Sequence, residues 1–215
     1  MKKKNNQLLK RILLVVLANM ILGLGIATLR LSGFGTDPYT CMNLGISSRL
    51  NMNFGTYQML FNVVLFIPVF LLDRKSFGAG ALVNMFLLGY FVEFFMYLFS
   101  GMGITIEGLA GNLIIRIPVL FVGILVICFG IALYMFCDLG AAPYDRLSVI
   151  AETYSHGRLP FRWARVCLDI FSAIVGVATG AVVGIGTVII AFFTGPIVSF
   201  FKDRVIEKAF GDLKA

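Results

Sequence analysis

The chain has 215 residues, of which 59% are hydrophobic and 13% are charged, with 18 Lys and Arg residues against 11 Asp and Glu residues. A soluble domain typically has about 25% charged residues and about 45–50% apolar ones, so this chain cannot cover a water-facing surface. The composition excludes a soluble domain, a disordered chain, a coiled coil and a disulfide-rich secreted module. It is typical of an all-α integral membrane protein that crosses the bilayer several times.

Six apolar segments are each close to the length, about 20 residues, that a helix needs to cross the hydrocarbon layer. They lie near Ile12–Leu31, Phe54–Leu72, Phe77–Phe99, Ile117–Phe136, Trp163–Val183 and Gly184–Phe201. With the amino terminus in the cytoplasm, all Lys and Arg residues lie on the inner side except Arg30, Arg49 and Arg116. This positive-inside bias predicts that both termini are cytoplasmic. The basic excess then contacts anionic lipid head groups, and we expect no nucleic-acid binding.

The two halves of the chain resemble each other in sequence. The matched segments, at offsets of 105, 105, 107 and 106 residues, are 25–27 with 130–132, 35–40 with 140–145, 60–63 with 167–170 and 78–80 with 184–186. Each half contains three predicted spans, an odd number, so the second half must enter the membrane from the opposite side. We therefore predict one membrane domain built as a 3+3 inverted-topology repeat, with residues 1–105 and 106–215 as its halves. Many secondary transporters use such repeats; a duplication retained for helix packing is the alternative.

A glycine, two residues, then proline and tyrosine follow the first span of each half. Glycine permits a sharp turn, and proline suits the first position of a helix. The pattern predicts two short helices, over Cys41–Leu50 and Arg146–Tyr154, that are too short to span. A re-entrant helix of this kind would present its amino-terminal N–H groups to a ligand. An interfacial helix that Thr36 and Asp37 merely cap is the alternative.

These paired Gly-x-x-Pro-Tyr segments, in a six-span chain of this length, resemble the YczE/YyaS/YitT-type bacterial integral membrane proteins. The YczE-like branch is the most similar, because its motif Leu-Gly-x-x-x-(Trp/Tyr)-Asp matches Leu139, Gly140, Tyr144 and Asp145. Thr40 stands at the acidic position in the first copy, so the two half-sites are not expected to be equivalent. The resemblance implies a multi-pass protein of the bacterial inner membrane, often suspected of transport, and names no substrate.

Two carboxylates lie well inside predicted spans, where an ionised side chain costs about 2.5–3.5 kcal/mol. Glu93, among aromatic residues, is a candidate proton carrier or cation ligand, or else a carboxyl group that a tyrosine bonds inside the bundle. Asp169 has Arg165 four residues before it, so a local ion pair is the first interpretation and a functional role the second. Its counterpart Asn62 is also polar, which favours a shared polar interior.

We predict a small-solute transporter that works by alternating access, with its site between the repeats near the midplane. The predicted substrate-binding residues are Asp37, Tyr39, Asn62, Glu93, Tyr144, Asp145 and Asp169. Aromatic and carboxylate groups suit a small organic cation or a heteroaromatic solute, with H⁺ or Na⁺ as the coupling ion. The sequence has no Walker loop, zinc signature or nucleophile elbow, so we expect no catalytic residue, cofactor, metal site or enzymatic activity.

Two other functions fit the same sequence. One is a substrate-binding membrane subunit of an ATP-driven uptake complex, and the other is a non-transporting membrane scaffold or regulator. Small residues on the first span, Gly23, Gly25 and Ala27, would form the docking face of such a subunit. The same stripe is also suited to close helix packing or to a homodimer contact.

Overall fold

A computed structural model of the chain describes residues 2–73, 78–156 and 158–211, and all the regular secondary structure among these residues is helical. The α-helices are α1 (Lys2–Ser32), α2 (Pro38–Arg49), α3 (Phe54–Leu72), α4 (Ala79–Gly101), α5 (Ile106–Ala110), α6 (Leu113–Cys137), α7 (Pro143–Tyr154), α8 (Phe161–Ala178), α9 (Ile185–Phe201) and α10 (Glu207–Phe210). A π-helical turn, Lys202–Ile206, joins α9 to α10. The short α5, which begins where Thr105 accepts a hydrogen bond from the Gly108 N–H, was not predicted.

Within the described residues, five helical segments are long and apolar enough to cross a membrane. They are Gln7–Ser32, Phe54–Leu72, Ala79–Gly101, Leu113–Cys137 and Ile185–Phe210. The chain is therefore an all-α, multi-pass membrane protein. The fifth predicted span, Trp163–Val183, overlaps α8 but ends five residues beyond it. Helix α8 has 18 residues and is less apolar than the other five, because it contains Arg162, Arg165 and Asp169.

The centre of the bundle is an antiparallel contact between α1 and α6. Glycines make it close: a Cβ added to Gly25 would lie 2.7 Å from the Ile127 side chain, and one added to Gly123 would lie 2.7 Å from Leu29. Without these side chains the two backbones approach each other as small residues allow in membrane helices. Helix α4 packs against α1, and α9 packs against α6.

The small residues of the first span lie inside this bundle. A Cβ on Gly23 would lie 2.6 Å from Phe91 of α4, Gly25 faces α6, and Ala27 is fully buried. The prediction that this stripe forms an outer docking face is therefore wrong, because helix packing within the chain already covers it. Between the same helices, α1 and α4, the Asn84 side-chain amide donates to Asn19 Oδ1 at 2.8 Å.

The two predicted short helices are confirmed as α2 and α7, each with 12 residues and each starting at the motif proline. Both begin three residues before the predicted runs. The turn before each helix uses a glycine in the left-handed region, with φ +92° at Gly35 and +96° at Gly140. Asp37 caps α2 as expected, since its carboxylate accepts a hydrogen bond from the Thr40 N–H at 3.0 Å.

Each short helix packs on a long helix from the other half of the chain: α2 on α8, and α7 on α3. Gly176 of α8 lies against the Cys41 backbone of α2, where a Cβ would be 3.2 Å away. On the other side, Arg146 of α7 pairs with Asp73, just after α3, at 3.7 Å. The crossed packing brings the beginnings of α2 and α7 to one place in the bundle.

Candidate functional site

The beginnings of α2 and α7 meet through their motif tyrosines. The rings of Tyr39 and Tyr144 lie 4.4 Å apart between centroids, with their planes tilted by 33°. The Tyr39 hydroxyl donates to Asn62 Oδ1 at 2.8 Å, and the Tyr144 hydroxyl donates to Asp169 Oδ1 at 2.9 Å. Asn62 and Asp169 each stand at the ninth position of their helices, α3 and α8. The two motifs therefore make the same contact at the same depth of their partner helices.

A guanidinium group joins the carboxylates on the α7 and α8 side. Arg165 donates to Asp169 Oδ2 at 3.2 Å, as the four-residue spacing predicts, and also pairs with Asp145 at the start of α7. It lies over the Tyr144 ring, 4.8 Å from the centroid. Such stacking adds a cation–π attraction to the two ion pairs. We call the residues connected in this way the central cluster: Tyr39, Asn62, Tyr144, Asp145, Arg165 and Asp169.

Asp37 lies beside the central cluster. Its carboxylate interacts electrostatically with Asp169, which it repels, and with Arg165, which it attracts. Burial raises the pKa of Asp37 above its ordinary value, although its hydrogen bonds from Thr40 oppose the shift. The cluster and Asp37 together hold three carboxyl groups and one guanidinium.

Glu93, the remaining predicted site residue, lies in a different place. Its Oε2 is 3.0 Å from where a Cβ on Gly55 would stand, near the beginning of α3. Gly55 precedes Asn62 by seven residues, which is about 10 Å along the helix axis. Glu93 interacts electrostatically with Arg30, whose guanidinium lies over the Phe54 ring. Five of the seven predicted residues thus belong to the central cluster, Asp37 adjoins it, and Glu93 is set apart from it.

The loops that lead into α2 and α7 are held by arginines from the opposite half. Arg116 Nε donates to the Ser32 carbonyl at 2.7 Å, and its guanidinium stacks on Phe34 at 4.4 Å. Arg11 Nε donates to the Cys137 carbonyl at 2.9 Å. Ser32 and Cys137 are the last residues of α1 and α6, where carbonyls lack helical partners. We call these contacts the Arg116 cap and the Arg11 cap.

Backbone hydrogen bonds reinforce both loops in the same way. The Gly186 N–H donates to the Phe34 carbonyl at 2.9 Å, and the Gly80 N–H donates to the Leu139 carbonyl at 2.8 Å. Glycine is needed at these helix starts because a Cβ on Gly186 or Gly80 would lie 2.9 Å from the carbonyl oxygen it binds. Each loop is therefore fixed by one arginine and one glycine N–H from the other half.

Four polar residues of this region lie outside the predicted site: Arg165, which the sequence indicates only as a local partner of Asp169, and Asn43, Gln58 and Ser148. The repeat offsets relate them in pairs. Gln58 and Arg165 are 107 residues apart, as Asn62 and Asp169 are, and Asn43 and Ser148 are 105 residues apart. Polar residues at equivalent positions of the two halves, which need not be identical, are the signal that indicates all four.

Comparisons with known proteins agree with the resemblance predicted from the motifs. An uncharacterized protein of Haemophilus influenzae is 33% identical over 199 residues, covering 91% of this chain and 85% of the relative. YyaS, an uncharacterized protein of Bacillus subtilis, is 25% identical, and the match covers 89% of this chain and 91% of the relative. YczE, an uncharacterized membrane protein of the same organism, is 24% identical, and the match covers 87% of this chain and 83% of the relative. No solved structure matches the chain. The profile of a family of unknown function, DUF6198, matches residues 9–203, and the chain belongs to that family.

Proposed function

We propose that the protein moves a small solute across the bacterial inner membrane by alternating access between two inverted repeats, with the central cluster as its site. The observation that carries the proposal is the meeting of α2 and α7 at the Tyr39–Tyr144 pair, with matched hydrogen bonds to Asn62 and Asp169. Short helices that begin at one shared point between two repeats are the arrangement in which secondary transporters place their substrate sites.

Equivalent contacts support the inverted repeat. Arg11 in the first half binds the Cys137 carbonyl in the second half, and Arg116 in the second half binds the Ser32 carbonyl in the first half. The two arginines are 105 residues apart in the sequence, and so are the two carbonyls. The glycine donors Gly80 and Gly186 are 106 residues apart, as in the sequence match. Each contact thus has an equivalent in which the two halves of the chain have exchanged their roles. A two-fold axis in the membrane plane generates such pairs of contacts.

Helix α8 supplies the span that the proposed 3+3 architecture needs in addition to the five apolar segments. It is the counterpart of α3, since the ninth residue of each helix binds a motif tyrosine. Its polar residues Arg165 and Asp169 contact α7, so they do not require α8 to lie outside the bilayer. Charged residues inside membrane bundles pair with one another and face the interior in this way.

The positive-inside bias sets the orientation that we propose, with both termini in the cytoplasm. The Arg116 cap, at the end of α1, then lies toward the outer face, and the Arg11 cap lies toward the inner face. Helix α2 approaches the central cluster from the outer side and α7 approaches it from the inner side. In the described conformation both caps are formed and the tyrosine rings are in contact. Opening to one face would release the cap on that face while the other cap stays formed.

Cysteine labelling tests this proposal with two equivalent positions, Asn43 on α2 and Ser148 on α7, both fully buried. Each is replaced by cysteine in a background without the four native cysteines, and membrane-impermeant maleimide is applied from either face of oriented vesicles. We expect Asn43→Cys to react only from the outer face and Ser148→Cys only from the inner face, both slowly. Gly101→Cys, at an exposed helix end, serves as the control that reacts at once. Labelling of both buried positions from the same face, or of neither, would overturn the proposal.

A further inference from the structure

We infer that the central cluster binds a small organic cation that carries several N–H donors, of the alkylammonium or guanidinium class. This inference rests on the proposed function and specifies the substrate of the same site. It is carried by three independent features of the described residues: the charge balance, the unpartnered buried oxygens and the ring faces.

The charge balance of the site favours a positive ligand. Asp145 and Asp169 share one guanidinium, that of Arg165, and Asp37 interacts with the same groups. When these carboxyl groups are ionised, they exceed the arginine by two charges. An excess of like charge among partly buried groups is costly unless a counter-charge is bound. The side chains of Asp145 and Arg165 are 45% and 33% exposed, so the protein only partly covers these two groups.

Three buried oxygens in this region have no hydrogen-bond partner within the described part of the protein. Among the residues that the structure describes, Asn43 Oδ1, Gln58 Oε1 and Ser148 Oγ are buried without a hydrogen-bond partner. The three residues are at most 1% exposed. A buried polar atom without a partner typically costs about 1–3 kcal/mol, so such an atom is usually satisfied by an ordered water or a bound ligand.

Helix geometry places two of these residues, Asn43 and Ser148, beside the site. Residues four apart share a helix face. Asn43 follows Tyr39 by four residues on α2, and Ser148 follows Tyr144 by four on α7. Gln58 precedes Asn62 by four residues on α3, but its Oε1 lies toward α4, 3.0 Å from where a Cβ on Gly89 would stand. Asn43 and Ser148 therefore share a helix face with the two motif tyrosines, and the amide oxygen of Asn43 only accepts hydrogen bonds.

The tyrosine rings add a surface that suits a cation. Arg165 already places a guanidinium 4.8 Å from the centre of the Tyr144 ring, between the carboxylates of Asp145 and Asp169. In the first half, the position equivalent to Arg165 is the neutral Gln58. The Tyr39 ring, which packs against Tyr144 and Phe61, therefore has no arginine from the equivalent position of its own half. An anion or a neutral amide would not be held by this set of groups, because an anion is repelled and an amide gives no charge compensation.

The test is a thermal-shift titration of the purified full-length protein in detergent with methylguanidinium, ethylammonium, acetamide and acetate as probes. We expect the two cations to raise the melting temperature in a saturable manner and the amide and the anion to have no effect. Asp169→Asn should weaken cation binding by about tenfold or more, since it removes one charge-assisted bond. This variant is expected to fold, because Asn62 already accepts a tyrosine hydrogen bond at the equivalent position.

The reciprocal substitution Asn62→Asp is the matched control, since it adds a carboxylate and should not weaken cation binding. If Asp169→Asn does not fold, Asp145→Thr is tested in its place, because Thr40 already stands at the equivalent position of the first half. Asp145→Thr should likewise weaken cation binding. Stabilisation by acetate or acetamide in place of the cations, stabilisation by no probe, or unchanged cation binding in the folded variant would overturn the inference. Cation binding without the opposite-face labelling of Asn43→Cys and Ser148→Cys would instead overturn the transport proposal and leave the ligand class standing.

Discussion

The Arg116 cap and the Arg11 cap make a quantitative prediction about the balance between open states. Arg116 donates to the Ser32 carbonyl and stacks on Phe34, whereas Arg11 donates to the Cys137 carbonyl. A hydrogen bond from a charged group contributes about 1.5–3 kcal/mol and ring stacking about 0.5–1 kcal/mol. Because both arginines are only half-buried, we take about 1.5 kcal/mol for each cap, which corresponds to a shift of about tenfold in population.

Arg116→Ala removes the cap on the proposed outer side and so favours the outward-open state. We expect the rate of labelling of Asn43→Cys from outside to rise about tenfold, while labelling of Ser148→Cys from inside falls. Arg11→Ala should have the opposite effect at both positions. Arg158→Ala, which removes an exposed arginine, is the control and should change neither rate. If either cap variant raises labelling at both positions, the caps only stabilise the bundle and the reasoning is refuted.

Two further predictions concern the motif around α2. Gly35→Ala should clearly lower the melting temperature, because Gly35 has φ +92° and a Cβ there would lie 2.8 Å from the Gly184 nitrogen. Gly101→Ala is the control and should be nearly neutral, because a Cβ there would meet no other atom of the described residues within 4 Å. Asp37→Asn keeps a capping side chain and removes an acidic group that lies near Asp169, so it should raise the melting temperature at neutral pH. Since burial raises the pKa of Asp37, stability from its protonated form is present at low pH and lost as the pH rises through that pKa. The advantage of Asp37→Asn should therefore shrink as the pH is lowered, and a constant difference would contradict the assignment.

Much of the fold could be predicted because a bilayer constrains apolar helices by length. The span Phe54–Leu72 was predicted with the bounds that α3 has, and the two Pro-Tyr helices were predicted from turn chemistry. The bounds of α1 and α6 were less accurate, since polar residues such as Arg11 and Arg116 continue a helix beyond its apolar part. Hydropathy marks where a helix meets lipid and not where its hydrogen bonds end.

The site could be predicted only where the repeat and a local spacing agreed. Tyr39 and Tyr144 were found through the motif, and the Arg165–Asp169 pair was found through its four-residue spacing. The crossed packing of α2 on α8 and of α7 on α3 is a tertiary feature that no local pattern encodes. For the same reason Glu93, which a sequence scan selects for its apolar surroundings, lies apart from the central cluster.

In the proposed transporter, α2 and α7 enter the bundle from opposite faces of the membrane. Labelling of the exposed ends of these helices measures this arrangement, with Leu50→Cys just after α2 and Tyr154→Cys at the end of α7, where the native side chains are 54% and 60% exposed. In intact cells and in inverted vesicles, we expect impermeant maleimide to reach Leu50→Cys only from outside and Tyr154→Cys only from the cytoplasmic face. Reaction of both positions from the same face would contradict the inverted repeat and the transport mechanism built on it.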